Sequence, residues 1–401
     1  MKPSSILPQY PKEIENWWWK NTIQKWPEHS EEKILNLIRK EIVLQSDRFN
    51  KLRSFDSKSY GSRDLSILAY GNFFFPRTWN AMKTCASEAL SIRGWNKPSK
   101  GPIRILDIGS GSGASGLSVL HLLKISGFNN SVLMDAWDYS GKSLSFLKNI
   151  HKDLNYLWPK SKLQTKRIDL LNSANHKAKE KFDLIVMGFS LNEILESQDL
   201  TESVNWLTQI TNLLSPNGFL IITEPAEKEV CKNLHRISAQ ISNHSKNYFL
   251  HAPYFNGLEC PLIEGNSHFY SHEVRKNLTT ERMAKINRFL RLEIHLLKFG
   301  FSIIGKRQPN CFPNDSSICR LVSPINKNKG TLTFIGIAGD GMEYRYEIQK
   351  RDIKPDEIKI LLKLERGDIL RFESLETGKE KNKIRIPRFE SISWPFSPRW
   401  S

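Results

Sequence analysis

No apolar run in this chain approaches the ~18–20 residues a membrane-spanning helix needs, so no membrane partner is expected. Cysteine is scarce. The five residues Cys85, Cys231, Cys260, Cys311 and Cys319, scattered over 401, form no dense framework, and reduced thiols are expected. Internal repeats and long low-complexity segments are missing. The opening residues lack the apolar core of a secretion signal, and the early acids Glu13 and Glu15 argue against an Arg-rich leader. A cytoplasmic location is therefore expected, with the mitochondrion as the alternative for a eukaryotic chain. Acidic residues are in deficit, 42 Asp+Glu against 59 Lys+Arg, which leaves a net charge of +17. Such an excess repels itself and calls for a polyanionic partner, nucleic acid being the commonest.

What is present is enough for a folded protein, because 39% of the residues are apolar. The length sets an expectation of roughly two to three domains. Residues 1–98 read as a helical N-terminal region. Within it Ile34, Leu35, Ile38, Ile42 and Val43 recur on one helical face, and a second helix is expected over 73–89. The cluster Trp17-Trp18-Trp19 is expected to pack against these helices. A turn-rich stretch at 96–102 marks a boundary. Residues 99–325 then alternate strands (104–108, 132–138, 163–168, 182–188 and 218–223) with helices (113–126, 140–154, 192–197 and 202–214). That alternation argues a parallel, doubly wound α/β sheet. An irregular insertion is expected at about 235–275, followed by a helix over 280–299 and strands at 302–305 and 318–321. Residues 326–401 read as a small basic β-rich domain, OB-like from its strand count.

The most informative segment is Ile103-Arg104-Ile105-Leu106-Asp107-Ile108-Gly109-Ser110-Gly111-Ser112-Gly113. An apolar strand runs into an acid and then glycines at every second position before a helix, so a ligand can approach the backbone closely. The acid is ill-suited to a pyrophosphate but suits the ammonium and sulfonium of S-adenosyl-L-methionine (SAM). Three further acids follow strand ends in order. Asp138, followed by Tyr139, stands where a ribose acceptor is expected, Asp169 could accept from an adenine amine, and Glu224 closes the fifth strand. Cofactor-binding candidates are therefore Asp107, Gly109, Ser110, Gly111, Gly113, Asp138, Tyr139 and Asp169.

This arrangement resembles the class I SAM-dependent methyltransferases. It is more specifically similar to the Rsm22 / methyltransferase-like 17 family of small-ribosomal-subunit-associated proteins. The closer resemblance is carried by residues 106–113, Ser190-Leu191-Asn192-Glu193, Ile222-Thr223-Glu224-Pro225, residues 252–262 with Cys260-Pro261-Leu262, and a tail from Cys319-Arg320-Leu321-Val322 to Gly367-Asp368. It implies a Rossmann-like methyltransferase core and association with small-subunit ribosomal RNA and ribosomal proteins. The family also carries a cysteine set that holds an iron–sulfur cluster. Here only Cys260 matches, with Tyr254, Ser267 and Ala338 at the other places. One thiolate cannot hold such a cluster, so neither it nor any other metal is expected. His244, His251, His268 and His272 fit no familiar zinc spacing.

Asn192 and Glu193 follow the fourth strand and are the catalytic candidates, as groups that accept an amine proton or order a base; the alternative is that they favour a helix N-terminus. Basic residues in the tail, from Lys327 and Lys329 through Arg345, Lys359 and Arg371 to Lys379, Lys381, Lys383, Arg385 and Arg388, are interleaved with Phe334, Tyr344, Tyr346 and Phe372. That pattern suggests phosphate contacts and base stacking. Three functions stay open: a methyltransferase acting on small-subunit ribosomal RNA, a non-catalytic ribosome-assembly factor using the SAM fold as an RNA-binding platform, and a small-molecule methyltransferase. Sequence leaves the oligomeric state undetermined.

Overall fold

The computed structural model describes residues 5–47, 61–171, 180–244, 247–263, 270–377 and 382–400. Ser267, His268, Lys379 and Lys381, and the His244 side chain, lie outside what is described. The N-terminal region comprises β1 (Ser5–Leu7), α1 (Lys12–Lys25), α2 (Glu31–Asp47), α3 (Asp64–Phe73) and α4 (Phe75–Ile92). All three tryptophans of the 17–19 cluster are buried. Trp18 stacks on Phe146, their ring centroids 5.7 Å apart.

The central region runs β2 (Ile103–Ile108), α5 (Ala114–Ile125), β3 (Val132–Asp138), α6 (Gly141–Asp153), β4 (Ser161–Arg167), β5 (Phe182–Gly188), α7 (Leu191–Ile194), α8 (Leu200–Asn212) and β6 (Leu214–Pro225). It continues with α9 (Lys228–His244), β7 (Phe249–Ala252), β8 (Glu273–Lys276), α10 (Glu281–Leu290) and β9 (Leu296–Gly305). The strands form one sheet in the order β4-β3-β2-β5-β6-β9-β7, with β8 also on β9. The first five are mutually parallel, and β9 is antiparallel to β6. Side chains alternate between two cores, as a pleated strand buried on both faces requires. Leu184, Val186, Phe219 and Ile221 face the N-terminal helices, while Ile185, Met187, Leu220 and Ile222 face α8 and α9. The order reverses between β2 and β5, and ligands bind at such a switch point, at the strands' carboxyl ends.

Two expectations are corrected here. The helix predicted over 280–299 stops at Leu290, where Arg291 takes a left-handed cap (φ 53°). Residues 296–299 instead extend the strand predicted at 302–305 into ten-residue β9, because they pair with β8. Within the stretch read as irregular, α9 persists to His244 and β7 and β8 add strands.

The C-terminal region contains β10 (Ile318–Leu321), β11 (Asn326–Lys327), β12 (Thr331–Ala338), β13 (Glu343–Gln349), α11 (Pro355–Leu361), β14 (Ile369–Phe372), β15 (Glu376–Thr377), β16 (Lys383–Arg385), β17 (Ile392–Phe396) and β18 (Pro398–Trp400). Its sheet has the order β15-β16-β13-β12-β10-β14-β17, with β11 on β12. Phe334, Tyr346 and Phe372 form its core, stacked at 5.2 and 5.0 Å. The base-stacking role expected of these three rings is thereby corrected, since they face inward, and Tyr344 donates to Asp340 Oδ2 at 2.9 Å. The N- and C-terminal ends meet where β1 pairs in parallel with β18. Among the described residues no helix is long and apolar enough to cross a membrane.

Candidate active site

A cleft of about 1420 Å³ opens over the carboxyl ends of β2, β3, β5 and β6. Gly109, Ser110 and Gly111 form part of its wall, with Asp138, Tyr139 and Asp169 beside them. Gly111 is left-handed (φ 51°), and a Cβ placed there would meet nothing within 4 Å, so space for a ligand lies directly over the backbone. The Ser110 hydroxyl is buried with no hydrogen-bond partner among the described residues. Asp138 Oδ2 accepts the Gly111 N–H at 2.8 Å, and Oδ1 accepts the Ser140 N–H at 2.7 Å. Burial raises the Asp138 carboxyl to about 6 against those two bonds. Asp169 Oδ1 accepts the Leu171 N–H at 3.1 Å.

Asp107 and Gly113 stand apart from this wall. Asp107 is fully buried beneath the loop, where Oδ2 accepts the Gly116 N–H at 2.8 Å in the first turn of α5. Oδ1 has no hydrogen-bond partner among the described residues, and burial raises the carboxyl to about 8. Its place is that of a helix anchor, which fixes the glycine loop from below. Gly113 begins α5 at φ 94°, and a Cβ there would lie 2.3 Å from Leu147 Cδ1 on α6.

The opposite wall carries Asn192 and Glu193, on the single turn of α7. That turn is held by the acid that closes the fifth predicted strand. Glu224, at the end of β6, is buried and accepts the Leu191 N–H through Oε1 at 2.8 Å. Its Oε2 has no partner at hydrogen-bonding geometry among the described residues. Burial, opposed by the Leu191 bond and reinforced by nearby Glu193, raises Glu224 to about 8. Phe189, just before this turn, is left-handed (φ 57°), a strained backbone for a bulky residue and one that clusters at functional sites. The N-terminal helices complete the cleft with Tyr70, Phe74, Arg77 and Thr78, and the Tyr70 hydroxyl donates to Thr78 Oγ1 at 3.1 Å. Only the aromatic run at 73–75 hinted at this contribution.

The cleft's charge opposes that of the whole chain. Asp138, Asp169, Glu193, Glu196, Glu227 and Glu293 line it, against Arg77, Arg236 and Lys298. Such a lining attracts cationic and hydrogen-donating groups and repels phosphate.

These features fit SAM. The space over Gly111, the unpaired Ser110 hydroxyl and the carboxylates of Asp138 and Asp169 suit a cationic adenosyl ligand. No group of three or more His, Cys, Asp or Glu able to hold a metal occurs among the described residues. Cys260 is buried against Tyr254 and Ile337, its thiol pushed up to about 11 by burial, while the Tyr254 hydroxyl donates to Ser271 Oγ at 2.9 Å.

Residues 99–276 match the model of a family described as a methyltransferase domain. The sheet order and glycine loop agree with that match and give the central region a Rossmann-like, methyltransferase-like fold. Comparison with curated proteins gives no match. Similar solved structures include mitomycin 7-O-methyltransferase MmcR, 14% identical over 42% of this chain and 40% of that one, with a TM-score of 0.28. An O-methyltransferase family protein from Burkholderia thailandensis is 16% identical over 69% and 73%, with a TM-score of 0.37. A SAM-dependent methyltransferase from Clostridium acetobutylicum is 15% identical over 86% and 92%, with a TM-score of 0.29.

Proposed function

We propose that this protein binds SAM over Gly111 and methylates RNA, with small-subunit ribosomal RNA as the substrate class. The observation that carries the cofactor half is the open space over Gly111 beside Asp138 and Asp169. The net charge of +17 and the resemblance to small-subunit-associated proteins support the RNA half. Bound there, the cofactor supplies an electrophilic methyl group. The residues do the rest: Asp138 and Asp169 orient the nucleoside, and Asn192 and Glu193 face the acceptor. The acid-rich lining keeps phosphates at the rim and admits a base whose amine can donate to a carboxylate.

Calorimetric titration with SAM and filter binding with ribosomal RNA test this reading. Micromolar SAM binding, with RNA affinity falling steeply as salt rises, is expected. RNA binding without SAM binding would favour the assembly-platform alternative. SAM binding without salt-sensitive RNA binding would favour a small-molecule acceptor. A methyl group missing from ribosomal RNA in a deletion strain would separate turnover from binding.

A further inference from the structure

The tail aromatics face inward, so a stacking surface for RNA must lie elsewhere, and α10 carries one. Phe289 is 64% exposed, the most exposed large apolar side chain among the described residues. One face of its ring is backed by the Arg39 guanidinium, whose Cζ lies 4.5 Å from the centroid. Arg39 is itself buried and fixed. It donates to Glu32 Oε1 at 2.7 Å and Asn36 Oδ1 at 2.8 Å, and to the Ile286 and Lys285 carbonyls at 3.3 Å each. The ring is thus held from behind while most of its surface meets solvent.

Its surroundings are cationic. Arg282, Lys285, Arg288 and Arg291 recur at every third position. Arg282 and Lys285 are tied to Glu31, at 2.9 and 2.5 Å. Arg288 and Arg291 are exposed and have no acidic partner among the described residues, and Arg288 Cζ lies 5.8 Å from the Phe289 centroid. The chain then passes directly into the cleft wall at Leu292 and Glu293.

We propose that Phe289 is a stacking platform for a base of single-stranded RNA, with Arg288 and Arg291 holding the flanking phosphates. An aromatic face accepts any base, and guanidiniums beside it neutralise the backbone, which together make a sequence-tolerant grip at the cleft mouth. This inference rests on the RNA half of the proposed function. It divides the labour: phosphates are held on α10, outside the acid-lined cleft that would repel them.

The test is fluorescence anisotropy of the full chain with a labelled oligouridylate of about 12 nucleotides. Phe289→Ala should weaken binding about ten-fold, and Phe289→Trp should restore it. Arg288→Gln and Arg291→Gln should each flatten the dependence of log affinity on log salt by about 0.7. SAM affinity and melting temperature should not move in any of them. Wild-type affinity in Phe289→Ala would overturn the platform while leaving RNA binding intact. Equal weakening by Ala and Trp would also overturn it, by showing a packing role. A wild type that binds no oligouridylate and no ribosomal RNA would overturn the inference together with the reading beneath it.

Discussion

Asp138 at the end of β3 reaches across to the glycine loop after β2 and accepts the Gly111 N–H at 2.8 Å. Its other oxygen accepts from Ser140, so each carboxylate oxygen already faces a backbone donor. Asp138→Asn must turn an amide NH₂ toward one of those N–H groups. The unsatisfied buried donor should cost about 1–3 kcal/mol of stability, and loss of the carboxylate charge that faces the nucleoside should weaken SAM binding roughly ten-fold in calorimetry. The wild type carries the same sensitivity in its pH response. Burial holds Asp138 at about 6, so SAM affinity should decline as pH falls through 6 and the carboxylate is neutralised. A flat affinity between pH 7 and 5 would remove Asp138 from the binding site.

Two buried acids make stability depend on pH in the opposite sense to a salt-bridged carboxylate. Asp107 and Glu224 are both raised to about 8 by burial. Between their unfolded values, near 4, and 8 the folded state holds more protons than the unfolded one. Their contribution is therefore complete below the unfolded values and is lost as pH rises through 8. The melting temperature should fall across that window, and Asp107→Asn or Glu224→Gln should flatten the fall. If both variants track the wild-type profile, these groups do not titrate with folding.

The middle and last glycines of the loop should separate binding from folding. Gly113→Ala sets a methyl 2.3 Å from Leu147 Cδ1 at φ 94°, so it should lower the melting temperature by several degrees, through overpacking of about 1–3 kcal/mol. Gly111→Ala meets no neighbour but fills the ligand's space, and it should reduce SAM affinity with the smaller change in stability. Wild-type SAM affinity in a folded Gly111→Ala variant would mean that the space over Gly111 is not a binding surface.

The central sheet was legible because its signals are local. Alternating apolar runs ending in Asp107, Asp138 and Asp169 gave the strands nearly to their ends, and the glycine spacing located the loop. Sequence could not show which acids face the cleft. Asp107 and Asp138 look alike as strand-end acids, yet one anchors a helix turn beneath the loop and the other lines the cavity. That difference is set by the sheet's twist and by α5, which are long-range. Residues 296–299 misled for the same reason, since their helical periodicity yields to pairing with β8. Glu224 was in view, but its partner Leu191 lies 33 residues away. The tail aromatics looked like stacking residues because alternation with charge marks a strand without saying which face is buried.

A buried chain of charges joins the three regions, and Arg320 is its centre. Arg320 donates to Glu88 Oε1 and Oε2 on α4, at 2.9 and 3.0 Å, and to Glu273 Oε1 on β8 at 3.1 Å. Arg93 also grips Glu88, at 2.6 Å, while Arg275 bridges Glu273 and Asp368, and Arg399 reaches Asp368 at 2.6 Å. Glu88 is held below its ordinary value, because the attraction of Arg320 and Arg93 outweighs the opposing burial penalty. Replacing such a network by apolar groups throughout can be neutral, but removing one member leaves its partners charged and dry. Arg320→Met should therefore cost about 3–5 kcal/mol in denaturant unfolding, far more than an exposed pair such as Lys359–Asp356. Adding Glu88→Gln to Arg320→Met should deepen the loss, since Arg93 is then left buried and charged without its carboxylate. A single variant within about 1 kcal/mol of the wild type would show that water reaches these groups, and that the three regions are not joined through a dry ionic core.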